Sequence, residues 1–132
     1  IQNGDDVCIA ARYPDGEIVN WPFRRRILSL MANGLAKTLI NPAVSDYTNG
    51  YRFYSRSAVE KVLKRGISAK GFITLSESLA ISFSHDLKIS TFATKFIDRS
   101  RGESNATVLE IIKSLGAIVH IGLKYRLGLY RP

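Results

Sequence analysis

The chain has 132 residues, enough for one core and not comfortably for two. Apolar residues make up 45% and charged residues 23%, which excludes an intrinsically disordered chain. Nineteen Lys and Arg against eleven Asp and Glu give a net charge of +8, which favours phosphate-bearing partners such as nucleic acid, nucleotide or anionic membrane.

In chain order, Ile1 to Asp6 lead straight into Val7-Cys8-Ile9-Ala10-Ala11, an apolar run that suits a buried strand. The start at Ile1, with no leader pattern ahead of it, reads as the middle of a protein, so residues upstream are expected. Arg12-Tyr13-Pro14-Asp15-Gly16 is a loop by its Pro and Asp-Gly signals. Asn20-Trp21-Pro22 opens a helix predicted to run to about Ile40. Phe23, Ile27, Met31, Leu35 and Leu39 recur at spacing four, with Leu28 beside them, and predict its buried stripe. Asp46-Tyr47-Thr48-Asn49-Gly50 is a turn, and Tyr51 to Tyr54 an aromatic strand. Ser57-Ala58-Val59-Glu60 has the form of a capping box for a short helix that stops near Gly66. Leu75, Leu79 and Phe83 mark another helix, and Lys88 to Phe96 another strand.

A polar loop from Asp98 to Asn105 precedes a last, amphipathic helix over residues 107–124. Val108, Ile111, Ile112, Leu115, Ile118 and Val119 form its apolar side. No apolar run approaches the roughly 20 residues of a membrane-spanning helix. Strands alternating with helices predict an α/β or α+β domain with a mixed sheet.

Two basic loops, each ahead of a helix, stand out chemically. Arg25 and Ser29 lie four apart and share a helix face. With Arg12 folded in from its loop, they can chelate one phosphate, because guanidinium donors match phosphate oxygens. The plainer alternative is solvated arginines at a helix start, a placement that runs against the helix dipole. The second loop, Asp98-Arg99-Ser100-Arg101-Gly102-Glu103-Ser104-Asn105, can wrap a diphosphate before a helix N-terminus or simply be a charged loop. Asp46 and Glu77 are candidate carboxylates, although Asp46 most simply caps a turn and Glu77 most simply lies on a helix surface. His85 and His120 lack ligand-spaced partners, and Cys8 reads as a packed thiol. Nothing forms a P-loop, a nucleophile elbow, a zinc motif or a D-x-D.

Taken in order, these segments resemble the dolichol-phosphate mannose synthase branch of the family 2 glycosyltransferases, the polyprenyl-phosphate glycosyltransferases. The likeness rests on Ala11-Arg12-Tyr13, Asn20-Trp21-Pro22, Arg25-Arg26-Ile27-Leu28-Ser29 and Ala32-Asn33. It continues through Asp46-Tyr47-Thr48-Asn49-Gly50-Tyr51-Arg52 and Lys70-Gly71-Phe72 with Glu77. It ends on Phe96-Ile97-Asp98-Arg99 leading into Gly102-Glu103-Ser104.

The resemblance implies the C-terminal part of a GT-A, Rossmann-like α/β/α sandwich, so residues 1–132 would be a single partial domain. It implies transfer of a sugar, mannose from GDP-mannose, to a polyprenyl (dolichyl) phosphate at the cytoplasmic face of a membrane, by a peripheral enzyme. Alternatives are a family 2 transferase with another donor or a non-lipid acceptor, and a basic nucleic-acid- or lipid-binding module without catalysis. Nucleic acid is not expected as a partner under the leading reading.

By position, Arg12, Arg25 and Ser29 correspond to acceptor-phosphate residues and Arg99 to a donor-diphosphate contact; Asn105 is read with it as donor-binding, and Asp46 is the candidate catalytic carboxylate. Asn105 stands where the family has Lys, an amide donor in place of a charge. Mg²⁺ or Mn²⁺ is implied as cofactor, with its ligands in an N-terminal half that this chain lacks. The 132 residues alone are accordingly expected to be inactive.

Overall fold

In the computed structural model the described residues are 4–13, 15–19, 22–71, 73–97 and 108–132. The predicted helix start at Asn20-Trp21, Phe72 and the loop carrying Arg99 and Asn105 lie outside them.

The architecture is α/β with a mixed sheet, as the alternation of strands and helices predicts. The elements are β1 (Val7–Ala11), β2 (Glu17–Val19), α1 (Phe23–Leu39), β3 (Arg52–Tyr54), α2 (Arg56–Arg65), α3 (Ile73–Ser84), β4 (Ile89–Ala93), β5 (Lys95–Ile97) and α4 (Val108–Arg126). β1 is central in a three-stranded sheet of order β3-β1-β4, antiparallel to β3 and parallel to β4. It is apolar because it is covered: Val7, Ile9 and Ala10 are fully buried. The predicted strand Lys88 to Phe96 is broken at Thr94. Its first part pairs with β1, and its second, β5, runs parallel to β2. Thr94 bridges the change of partner, donating to the Ala11 carbonyl and accepting from the Glu17 amide, both at 3.0 Å. β2, three residues long, was not predicted.

α1 corrects the sequence reading. Its buried residues are Ser29, Ala32, Asn33 and Ala36, while Phe23 is 77% exposed and Ile27, Leu30 and Met31 also face outward. The small face lets the backbone approach the core, and the apolar stripe is left outside. On α4, Ile118, Ile121 and Gly122 are buried, whereas Val108, Leu109 and Ile112 are exposed, so only the second half of the predicted stripe packs inward. α2 is capped by Ser55, whose hydroxyl accepts from the Ala58 amide at 3.1 Å. The predicted cap Ser57 is therefore not used, and Glu60 pairs with Arg56 instead.

The C-terminal ends of α1 and α4 are locked together. Arg126 donates from Nε to the Leu39 carbonyl (2.9 Å) and from Nη2 to the Thr38 carbonyl (2.6 Å), where orphan helix carbonyls favour a cation. Beside them Gly122 lies so close to Leu39 that an added Cβ would overlap the Leu39 Cβ, an atom that cannot swing aside. Gly122→Ala is expected to force the helices apart and lower stability by about 1–3 kcal/mol. Equilibrium urea unfolding checks this, and an unchanged midpoint would refute the tight contact.

Candidate functional site

The site is built where β1 ends. The chain leaves the sheet at Arg12 and turns sharply over Gly16, whose missing side chain leaves room for the Ala11 and Arg12 backbone; a Cβ there would sit within 2.6 Å of it. Arg12 is thereby pressed inward and is only 5% exposed.

Its partner is Asp46, fully buried at the head of the 46–49 turn. Asp46 Oδ2 accepts from the Arg12 backbone amide (3.0 Å) and Nε (2.7 Å), and Oδ1 from Nη2 (2.9 Å). Oδ1 also accepts from the amides of Thr48 and Asn49, each at 3.2 Å, which makes the Asx-type turn the sequence suggested. Burial pushes the carboxyl upward, but the hydrogen bonds and charge of Arg12, with the backbone amides, outweigh it. The group is held below the ordinary carboxylate range. Asp46 thus reaches Arg12 and the turn, and both its oxygens are engaged.

Thr48 joins this pair to α1. Arg12 Nη2 donates to Thr48 Oγ1 at 2.7 Å, and Thr48 Oγ1 lies 3.5 Å from Ser29 Oγ. Ser29 also receives hydrogen bonds from the Tyr13 hydroxyl (3.3 Å) and from Asn33 Nδ2 (3.4 Å). Asn33 Oδ1 accepts from the Tyr47 amide at 2.7 Å, which fixes the turn against the helix. Arg25, half-buried, stands one helical turn ahead of Ser29 on α1.

The structure therefore brings Arg12, Ser29 and Asp46 together and places Arg25 on the adjoining turn. Thr48, Tyr13 and Asn33 were not singled out from sequence as site residues. Their signals were present: Thr48 two residues past the turn carboxylate, Asn33 four past Ser29. The result is a cluster of hydroxyls and a buried guanidinium beside a helix carrying a further arginine, a donor set suited to phosphate oxygens. Arg99 and Asn105 lie outside the described residues.

Glu77 is the other correction. It is not on a surface but 1% exposed. Its oxygens accept from the amides of Ser68 (2.9 Å) and Ala69 (2.6 Å), from the Ser68 hydroxyl (2.8 Å) and from the Tyr130 hydroxyl (2.9 Å), with Lys124 Nζ at 4.0 Å. Burial pushes its carboxyl upward, the donated hydrogen bonds more than reverse this, and it too sits below the ordinary range. Cys8 is a free, half-buried thiol. Among the described residues no three His, Cys, Asp or Glu side chains gather as metal ligands.

No family model matches the chain. Along 96% of its length it is 28% identical to a polyprenol monophosphomannose synthase of Mycolicibacterium smegmatis, and covers 48% of that protein. Along 98% it is 25% identical to an undecaprenyl-phosphate mannosyltransferase of Micrococcus luteus, covering 56%. The chain thus spans about half the length of the curated relatives it matches. The resemblance read from its ordered motifs to the polyprenyl-phosphate glycosyltransferases is met by relatives that align along nearly all of it.

Proposed function

We propose that this chain is the acceptor-phosphate part of a glycosyltransferase that moves a sugar, mannose in the leading reading, onto a polyprenyl phosphate. The observation that carries the proposal is the convergence of Arg12, Ser29 and Thr48, with Arg25 one helical turn ahead of Ser29 on α1, in a chain whose relatives are named for polyprenyl-phosphate mannosyl transfer. Arg25 and the hydroxyls receive the lipid phosphate, and Arg12, anchored by Asp46, supplies fixed positive charge behind them. Asp46 acts here by holding Arg12. An acceptor phosphate is already an anion and needs no strong base. One of its oxygens forms the bond to the sugar's anomeric carbon while the bond to the nucleoside diphosphate breaks and the diphosphate leaves with the electron pair.

A GT-A fold for the completed domain, GDP-mannose as donor and donor contacts from Arg99 and Asn105 belong to the same reading. Mg²⁺ or Mn²⁺ does not fit the described residues. Asp46 and Glu77 are buried and saturated by donors, and no cluster of metal-ligating side chains gathers among the described residues; the reading assigns the ion to residues outside this chain, and no step here runs through it.

Arg25→Ala in the full-length protein is expected to remove a charged phosphate contact of about 1.5–3 kcal/mol, roughly 10- to 150-fold in lipid-phosphate KM. The nucleotide-sugar KM should change little. Arg25→Lys should rescue only partly, because an ammonium lacks the planar fork. Steady-state kinetics with both substrates decide the matter, and an unchanged lipid-phosphate KM and kcat would remove the acceptor site from α1.

The membrane surface is the partner for the exposed apolar residues. Phe23, Ile27, Leu30 and Met31 on α1 and Val108, Leu109 and Ile112 on α4 face outward in a chain of net charge +8, the combination that lies in a bilayer interface. No helix among the described residues is long and apolar enough to cross a membrane. Co-sedimentation with phosphatidylglycerol vesicles should fall with added salt and be lost in Ile27→Asp/Met31→Asp. Binding indifferent to salt and to these substitutions would argue for a protein-covered face.

A further inference from the structure

The guanidinium of Arg12 is held in its own plane by Asp46 and Thr48, and aromatic rings lie against it as well. Its Cζ is 5.8 Å from the ring centroid of Tyr13 and 5.6 Å from that of Phe96, inside the roughly 6 Å at which a ring attracts a cation. Tyr13 is the neighbouring residue and arrives with Arg12. Phe96 comes from β5, remote in sequence, and its position is dictated by backbone pairing. It stands in register with Ile18, and the preceding Thr94 is bonded to both Ala11 and Glu17. The same strand change that ends pairing with β1 therefore delivers this ring to the residue that follows β1. Arg12 is nearly dry, the condition under which such contacts are strongest.

A carboxylate fork fixes where the edge of a guanidinium points but resists tilting of its plane poorly. A ring restricts that tilt. We propose that Phe96 is a positioning residue of the acceptor-phosphate site, holding the Arg12 guanidinium through its ring and thereby setting affinity for the lipid phosphate. The inference rests on the reading of Arg12, Arg25 and Ser29 as that site.

The test is calorimetric binding of farnesyl phosphate, a short soluble acceptor, to the full-length protein carrying Phe96→Leu, Phe96→Met or Phe96→Tyr, with Arg25→Ala in parallel. Leu and Met keep apolar volume and lose the ring; Tyr keeps the ring. Phe96→Leu and Phe96→Met are expected to weaken binding about tenfold, while Phe96→Tyr stays within about twofold of wild type. In NMR spectra the Arg12 side-chain proton shifts should move in Leu and Met but not in Tyr, as the ring current goes. Nucleotide-sugar affinity should hold in all three. Wild-type binding in both ringless variants, or equal loss of nucleotide-sugar affinity, overturns the role of Phe96. If Arg25→Ala weakens binding while the ringless variants do not, only Phe96 is misassigned. If none of them changes binding, the acceptor-site reading falls together with it.

Discussion

Asp46→Ala is expected to lower folding stability by about 3–5 kcal/mol, a large part of the roughly 5–15 kcal/mol that holds a domain of this size together. The substitution leaves Arg12 charged, because a guanidinium does not deprotonate in a protein. At 5% exposure water cannot reach Arg12 to compensate. The amides of Arg12, Thr48 and Asn49 lose their acceptor in the same stroke. Most of the cost is the stranded charge, not the net worth of the pair. Replacing both partners, as in Arg12→Met/Asp46→Leu, should therefore cost less than Asp46→Ala alone. Urea unfolding of the two single variants and the double variant completes the cycle. A loss under 1 kcal/mol for Asp46→Ala would mean that Arg12 finds another partner or solvent, and that the buried pair does not organise the site.

Glu77→Gln should lose about 2–4 kcal/mol near neutral pH, with a pH dependence that identifies the cause. Two backbone amides and two hydroxyls donate to the carboxylate. A carboxamide must turn its NH₂ toward one of these pairs of donors, leaving buried groups unmatched at about 1–3 kcal/mol each. The folded-state carboxyl is held below the ordinary Glu value. The unfolded chain therefore binds the proton more readily than the folded one as pH falls. The stabilisation is complete above about pH 4.3, the unfolded value, and is lost as pH drops through the folded one. The gap between wild type and Glu77→Gln should accordingly be widest near pH 7 and narrow below pH 4. A gap independent of pH from 7 to 3 would assign the loss to packing instead of to the charge.

The elements were legible in the sequence to different depths, for physical reasons. Spacing four along α1 announced a helix, but periodicity only says that two faces differ. Ser29, Ala32, Asn33 and Ala36 look unlike a core face, yet small side chains allow the close approach and Asn33 is bonded on its far side. β2 has three residues, too few for any period to show. Ser57 carries the capping-box spacing to Glu60, but α2 begins at Arg56, so Ser55 is the residue ahead of it and takes the cap. The turn at Asp46 was readable because its local bonds span two and three residues, while the bond to Arg12 crosses 34 positions and leaves no trace in spacing. Glu77 was misread for the same reason: Tyr130 lies 53 residues away. The acceptor-site residues were found by the pairing of Arg25 with Ser29 and by resemblance, and their mutual anchoring through Thr48 emerged only in three dimensions.

The lock between α1 and α4 also has a mechanical side. Arg126 and Gly122 clamp α1 at Thr38 and Leu39, and Asn33 adds a fastening halfway along. Ahead of Ser29 the helix offers mostly exposed residues. The long-range fastenings described for the helix thus lie toward its C-terminal end, and amide exchange is expected to be slowest there. Arg25 lies ahead of these fastenings. Anything that settles on the outer stripe of α1 would also bear on the stretch that carries Arg25, so contact at that face and phosphate binding are expected to be energetically coupled.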